Sequence, residues 1–271
     1  AVACRKISEL TGAEAGTVVH CTSAGITLSI AATMTGTAPE KIAKLPDSTG
    51  LPHRVILPAG HSVNYGHPIT QDIRVAGATP VVVGNDNGCT EDDLCEALSL
   101  SDNACLLLVS SRLTRGKFIK FKKAVEVAHH HRIPVIIDGA AQDLRLKSLL
   151  ETGADLVLTS AQKYLSGPTA GLVIGRQRLV DAVLAQEKGI GRAMKASKES
   201  IIGTLSAFEE RQSLNLVAWE KEQEEKVAYF IEAANEIGGI KASSIRDSAG
   251  LPFSRVCLTV NSSLTGIDAF S

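Results

Sequence analysis

An aspartate and a lysine follow two apolar segments in the middle of the chain, 25 positions apart. Asp138 ends the apolar run 133–137, and Lys163 follows the run 155–159 in the turn Ser160-Ala-Gln-Lys. If both runs are parallel strands joined by a crossover, the two side chains emerge at the carboxyl edge of the sheet, where α/β sheets bind ligands. A lysine amine forms a Schiff base with an aldehyde, and a carboxylate holds a pyridinium nitrogen protonated. The pair therefore suits pyridoxal phosphate, with Asp138 and Lys163 as catalytic residues and Ser160 beside the cofactor.

Each residue of this pair also has a more ordinary interpretation. A lysine after a strand is usually solvated, and an aspartate at a strand end often caps the next helix. The residues after Lys163 favour the cofactor interpretation, because Gly167 and Pro168 predict a turn and the apolar run 169–174 predicts a third strand.

A small hydroxylated turn, made of Thr22, Ser23, Ala24 and Gly25, follows the apolar run 17–21 and opens a helical pattern. Free backbone N–H groups, hydroxyl donors and the helix dipole make such a turn an anion site. Serine and threonine cap helices more often than they bind phosphate, but the position after a strand in an α/β pattern favours phosphate. Neither GxxxxGK[ST] nor GxGxxG occurs in the chain. We predict that these four residues hold the cofactor phosphate.

A polar loop follows the predicted strand 54–57 and carries His61, Asn64, Tyr65 and His67. A metal site would need further ligands that nothing in the sequence marks, so we predict no metal. An ordinary polar loop would have the same composition. Our preferred interpretation is that the ring of His61 lies against the face of the cofactor.

Three cations, Arg192, Lys195 and Lys198, follow the glycines at 189 and 191 near the start of a predicted helix. Positive charge is unfavourable at a helix N-terminus because it opposes the dipole. Solvated side chains are the simpler alternative. We predict that these cations bind an anionic substrate.

Composition argues against several classes of function. The formal net charge is −1, from 28 basic and 29 acidic residues, so no global field attracts nucleic acid or an anionic membrane. Six scattered cysteines without a CxxC pair indicate reduced thiols in a cytoplasmic enzyme. No apolar run approaches membrane-spanning length, and no signal peptide is evident.

Strand and helix patterns alternate from residue 17 to residue 160. The apolar runs are rich in Val, Ile and Leu without strict polar alternation, which predicts a three-layer α/β fold whose mostly parallel sheet is covered on both faces. The chain has 271 residues, 44% of them hydrophobic, enough for a sizeable core. We predict a cofactor-binding large domain over residues 1–237 and, over 238–271, the beginning of a small C-terminal α+β domain that the chain does not complete.

Several segments together resemble a known family. In chain order they are Leu10-Thr-Gly-Ala-Glu-Ala, Thr22-Ser-Ala-Gly, Gly60-His61 with Asn64-Tyr65, Ile73-Arg-Val-Ala-Gly-Ala, Ile133-Pro-Val-Ile-Ile-Asp138, Gly153-Ala-Asp-Leu, Lys163 with Gly167-Pro, and Gly191-Arg-Ala-Met-Lys-Ala-Ser-Lys198-Glu. The chain resembles fold-type I pyridoxal-phosphate enzymes of the branch related to bacterial selenocysteine synthase. Within that branch it is most similar to the D-glucosaminate-6-phosphate ammonia-lyase group.

The resemblance implies a seven-stranded sheet and a homodimer or larger assembly with sites at subunit interfaces. It implies Lys163 as the Schiff-base lysine and Asp138 as the pyridinium partner. It also implies that Ser23, Ala24 and Gly25 form the phosphate cup.

The expected function is α,β-elimination from an amino acid or amino sugar acid, with Lys163 moving the α-proton. The runner-up is group transfer of the selenocysteine-synthase type, which the near-zero net charge opposes because tRNA binding generally needs a basic surface. An aminotransferase or racemase would use the same lysine. A non-catalytic scaffold is a further alternative, and the presence of Asp138 and Lys163 argues against it.

Overall fold

A computed structural model describes residues 2–85, 87–140, 146–247 and 252–268. The chain divides into two compact units, Ala1–Arg211 and Gln212–Ser271. The division into functional domains at residues 237 and 238 stays a prediction. The compact units divide earlier, because the helix that begins at Leu216 packs against the two strands that follow it.

The first unit is built on one seven-stranded sheet. Its strands, with two short ones that pair only with each other, are β1 (Ala15–Val19), β2 (Arg54–Pro58), β3 (Thr79–Val83), β4 (Gly88–Cys89), β5 (Asn103–Val109), β6 (Lys117–Phe118), β7 (Val135–Asp138), β8 (Leu156–Ser160) and β9 (Gly171–Gly175). The order across the large sheet is β1-β9-β8-β7-β5-β2-β3. All of its strands run parallel except β9, which is antiparallel to both neighbours. The predicted mostly parallel seven-stranded sheet is confirmed.

The helices of this unit lie on both sides of the sheet. They are α1 (Val2–Thr11), α2 (Thr22–Thr35), α3 (Pro39–Lys44), α4 (Ile69–Val75), α5 (Glu91–Ser99), α6 (Phe121–His130), α7 (Leu146–Leu150), α8 (Gln177–Ala185) and α9 (Lys198–Ser213). Alternate strand residues face two separate cores, so that Leu107 packs with α2, α4 and α8 while Leu106 and Leu108 pack with α5, α6 and α9. Burial of both sheet faces explains why the strands read as continuous apolar runs.

The second unit consists of α10 (Leu216–Asn235), the antiparallel hairpin β10 (Ile240–Arg246) and β11 (Ser254–Val260), and the short α11 (Ser262–Thr265). The side chain of Asn235 joins helix to hairpin, since its Oδ1 accepts a hydrogen bond from the Ala242 N–H at 2.8 Å.

The antiparallel strand β9 brings the start of α2 next to β8. Only ten residues, 161–170, separate β8 from β9, too few for a crossover, so the chain returns antiparallel. A Cβ at Gly171 would lie 2.6 Å from the carbonyl carbon and oxygen of Cys21 and 2.9 Å from the nitrogen of Thr22. Glycine at this position therefore lets the backbone before α2 touch the sheet.

Replacing Gly171 by alanine should destabilise the protein, because the new methyl group collides with backbone that cannot move without shifting α2. We expect the free energy of unfolding in urea to fall by about 1–3 kcal/mol. Gly238→Ala is the matched control, since a Cβ at Gly238 has nothing within 4 Å. Equal free energies of unfolding of the two variants would show that the close contact between Gly171 and the Cys21 backbone does not limit stability.

Candidate active site

A cleft of about 270 Å³ opens at the carboxyl edge of the sheet. Its walls come from the loop after β2, the ends of β5, β7 and β8, and the first turn of α2. The residues that line it are Cys21, Thr22, Ser23, Ile26, Val63, Tyr65, Val109, Ser110, Ser111, Leu113, Asp138, Ala140, Ser160, Gln162 and Lys163. The cleft thus brings together five of the residues that the sequence predicts for the site: Thr22, Ser23, Asp138, Ser160 and Lys163.

Asp138 is the last residue of β7 and is almost completely buried, with 6% of its surface exposed. Its Oδ1 accepts a hydrogen bond from the Ala140 N–H at 3.0 Å. Burial raises the pKa of Asp138 from 3.8 to about 6, although the Ala140 N–H and the charge of Lys163 favour the ionised form. Any cationic group that enters the cleft therefore stabilises the ionised form of Asp138.

Lys163 lies in a tight turn that begins directly after Ser160, the last residue of β8. Gln162 ties the turn together, because its Oε1 accepts hydrogen bonds from the Ser160 hydroxyl at 2.8 Å and from the Ala170 N–H at 3.3 Å. The Ser166 N–H donates to the Lys163 carbonyl at 2.9 Å. The backbone of the turn is therefore held while the Lys163 side chain is exposed to the cleft.

The hydroxylated turn is itself the first turn of α2, and Cys21 is the N-cap residue. The Ala24 N–H donates to the Cys21 sulfur at 3.5 Å, and the Gly25 N–H donates to the Cys21 carbonyl at 2.9 Å. Thr22 and Ser23 line the cleft, whereas Ala24 and Gly25 are buried. An anion in the cleft would meet the two hydroxyls and the positive end of the α2 dipole.

The structure places His61 behind the wall of the cleft and not among the described residues that line it. Its Nδ1 accepts a hydrogen bond from the Val109 N–H at 3.0 Å, and its ring centroid lies 4.5 Å from that of Phe118. Burial lowers the pKa of His61 to about 4, so the ring is neutral near pH 7. In this arrangement His61 supports the end of β5.

Arg192, Lys195 and Lys198 are exposed and are not among the described residues of the cleft wall. Lys195 forms an ion pair with Glu187, with Nζ and Oε2 2.9 Å apart. In the single chain these cations are not at the cleft wall, so contact with a substrate in the cleft would require a different arrangement.

Tyr65 and Gln162 are two of the cleft residues that the sequence analysis did not select. Tyr65 stands in the polar loop that the sequence marks, but loop sequence does not tell which side chain turns inward. Gln162 lies inside the Ser-x-x-Lys turn, and an amide between two site residues is the only signal that could have indicated its role.

Within the described ranges of the chain, no group of three or more His, Cys, Asp or Glu side chains could hold a metal ion. Within those residues, no helix is both long enough and apolar enough to cross a membrane.

Comparison with known proteins identifies the family of the chain. Residues 93–239 match the family described as Cys/Met metabolism PLP-dependent enzyme. The chain is 35% identical over 264 residues to D-glucosaminate-6-phosphate ammonia lyase from Salmonella typhimurium (strain 14028s / SGSC 2262), an alignment that covers 97% of this chain and 70% of that protein. It is 33% identical over 266 residues to 5'-C-glycyluridine monooxygenase-decarboxylase from Streptomyces sp, covering 97% of this chain and 66% of that protein.

The likeness extends to three dimensions. The solved structure of D-glucosaminate-6-phosphate ammonia-lyase matches with a TM-score of 0.85 at 34% identity, covering 99% of this chain and 72% of that one. Fold and site together define a pyridoxal-phosphate-dependent enzyme of fold type I. The chain belongs to the Cys/Met metabolism PLP-dependent enzyme family.

The donor set of the cleft fits pyridoxal phosphate. One cleft contains an amine at Lys163 for the aldehyde and a buried acid at Asp138 for the ring nitrogen. The hydroxyls of Thr22 and Ser23 at a helix N-terminus suit the phosphate. These are the three kinds of group that the cofactor needs.

The raised pKa of Asp138 predicts a pH dependence of stability in the cofactor-free protein. Because folding raises this pKa, the folded chain binds the proton more tightly than the unfolded chain. The stabilisation is full below about pH 4 and is lost as the pH rises through about 6, a loss on the order of 2–3 kcal/mol. Urea unfolding of the wild type and Asp138→Asn at several pH values should show this loss only in the wild type. If the free energies of unfolding of the two proteins change with pH in parallel, the raised pKa of Asp138 is contradicted.

Proposed function

We propose that this chain catalyses α,β-elimination of the ammonia-lyase type on an amino acid or amino sugar acid. The observation that supports the proposal is the opening of Lys163, Asp138 and the first turn of α2 into one cleft. The 35% identity to an ammonia lyase over nearly the whole chain supports the choice of reaction.

Each residue has a distinct task in this proposal. Lys163 would hold the aldehyde of the cofactor, and its amine would remove the α-proton of the substrate. Asp138 is ionised and keeps the ring nitrogen protonated, because a cationic partner favours the charged form of a buried acid. Thr22 and Ser23 hold the phosphate. When bound, the cofactor supplies an electron sink for the carbanion left at the α-carbon.

The elimination removes the α-proton and the β-hydroxyl of the substrate as water. The released enamine then hydrolyses to a 2-oxo acid and ammonia. Gln162 holds the turn that carries Lys163, and it thereby limits where the amine can reach.

Group transfer of the selenocysteine-synthase type is the alternative reaction. The net charge of −1 disfavours it, since a tRNA substrate calls for a basic surface. An aminotransferase or racemase would use the same lysine, and measuring whether ammonia is released distinguishes these reactions from elimination.

Borohydride reduction of the cofactor-loaded protein should attach the pyridoxyl group to Lys163, because this lysine alone among the described cleft residues has an amine side chain. Peptide mapping by mass spectrometry identifies the labelled residue. Lys163→Ala should take no label. A label on Lys195 or Lys198 would remove Lys163 from its role.

We also propose that the chain works in the cytoplasm as a homodimer or larger homo-oligomer. The six cysteines, all free, support a reducing compartment, and cell fractionation tests this placement. Assembly would offer Arg192, Lys195 and Lys198 a route to a substrate anion, since all three are exposed but outside the cleft of their own chain.

Neutralising Lys195 and Lys198 together should raise KM for an anionic substrate by about three- to tenfold, the loss expected for two exposed charge contacts. The effect should shrink at higher salt, which screens exposed charges. Lys221→Ala with Lys226→Ala is the matched control, because both lysines pair with glutamates on α10. If both double variants keep the parental KM, the substrate anion binds elsewhere.

A further inference from the structure

A polar network beside the cleft has no part in the mechanism above. Tyr65 lines the cleft, and its hydroxyl donates a hydrogen bond to Oδ2 of Asp72. His67 contacts the other carboxylate oxygen, with Nε2 and Oδ1 3.0 Å apart. Asp72 is only 6% exposed, so this is a second buried carboxylate near Asp138.

Local structure positions the three residues firmly. Tyr65 and His67 flank Gly66, whose φ of +114° permits a tight turn, and the Tyr65 N–H donates to the His67 carbonyl at 3.2 Å. Asp72 lies in the first turn of α4. Its carbonyl accepts a hydrogen bond from the Thr27 hydroxyl of α2 at 3.1 Å. The network is thus attached to the helix whose first turn forms one wall of the cleft.

The carboxylate decides which way the Tyr65 hydrogen points. An ionised carboxylate only accepts hydrogen bonds, so Tyr65 must donate to Asp72. Burial, together with the hydrogen bond to Asp72, raises the pKa of Tyr65, which keeps the phenol neutral at all ordinary pH. The oxygen that faces the cleft therefore has lone pairs but no hydrogen to donate.

We propose that Tyr65 is a specificity-determining residue whose oxygen accepts a hydrogen bond from a hydroxyl group of the substrate. Asp72 and His67 are positioning residues that hold the Tyr65 hydrogen away from the cleft. The inference rests on the proposed function and assigns to Tyr65 the recognition of a hydroxyl group on the side chain of the amino acid substrate.

The same geometry disfavours other partners at this point. A carboxylate oxygen of the substrate would find no donor on Tyr65 and would be repelled by the charge of Asp72. An alkyl chain would leave the Tyr65 oxygen without a partner in the cleft. Ser23, whose Oγ lies 3.3 Å from the Tyr65 oxygen, can donate to it, but in the proposed function the Ser23 hydroxyl serves the phosphate.

The test compares two ligands of equal chain length on the cofactor-loaded protein. These are 2-amino-2-deoxygluconate, which has chain hydroxyls, and racemic 2-aminohexanoate, which has none. Binding is read from the change in cofactor absorbance immediately after rapid mixing, before turnover consumes the hydroxylated ligand. Tyr65→Phe should lower the affinity for 2-amino-2-deoxygluconate about tenfold, as loss of one hydrogen bond implies. The affinity for 2-aminohexanoate should fall by less than about twofold.

Two further variants complete the experiment. Tyr229→Phe, at a tyrosine 74% exposed on α10, should bind both ligands as the wild type does. Asp72→Asn can donate to the Tyr65 oxygen and free the phenol hydrogen, so it should lose most of the preference for the hydroxylated ligand while retaining its affinity for 2-aminohexanoate. If Asp72 only stabilised the local structure, Asp72→Asn would lower the affinity for both ligands alike.

Several outcomes would overturn the inference. Equal weakening of both ligands by Tyr65→Phe would assign Tyr65 to the cofactor or to the shared amino acid group. Unchanged binding of both, or a wild type without preference for the hydroxylated ligand, would remove Tyr65 from substrate recognition. Failure of the proposed function looks different, because it shows as a missing label on Lys163 or as no ammonia released, whatever the titrations give.

Discussion

The parallel pairing of β7 with β8 is the constraint on which the site depends. The ladder sets Asp138 level with Leu158, two residues before β8 ends at Ser160. Residues 25 positions apart in sequence thereby reach the same edge of the sheet. The tight turn after β8 then places Lys163 beside the acid. A change of register by one residue would turn Asp138 to the other face of the sheet, since side chains alternate along a strand.

The antiparallel return of β9 is the second structural requirement. It brings Gly171 against the backbone at Cys21, and this close contact positions the first turn of α2 beside the other two components of the site. Apart from the loop after β2, the polar wall of the cleft is therefore assembled from strand ends and one helix start, which are fixed by packing in the two apolar cores. Such a scaffold can hold charged groups in fixed positions before any ligand arrives.

Three buried titratable residues at or near the cleft have different roles. Asp138 has its pKa raised toward neutrality, which makes its charge state sensitive to what enters the cleft. Asp72, equally buried, accepts hydrogen bonds from Tyr65 and contacts His67, and so fixes the orientation of a phenol. His61 is neutral behind the cleft wall because burial lowers its pKa, and its Nδ1 accepts a hydrogen bond from the Val109 N–H.

The sequence by itself determined the fold class, the mostly parallel sheet and the five predicted residues that line the cleft. These follow from local patterns, because apolar runs that alternate with helices identify buried parallel strands, and residues that end such strands must lie at one edge. Only the tertiary structure decided which loop residue enters the cleft. It turned Tyr65 inward and His61 into the core, although both belong to the same polar loop. It also left Arg192, Lys195 and Lys198 outside the cleft, because the direction of a side chain depends on packing between segments distant in sequence. Local composition carries no record of that packing.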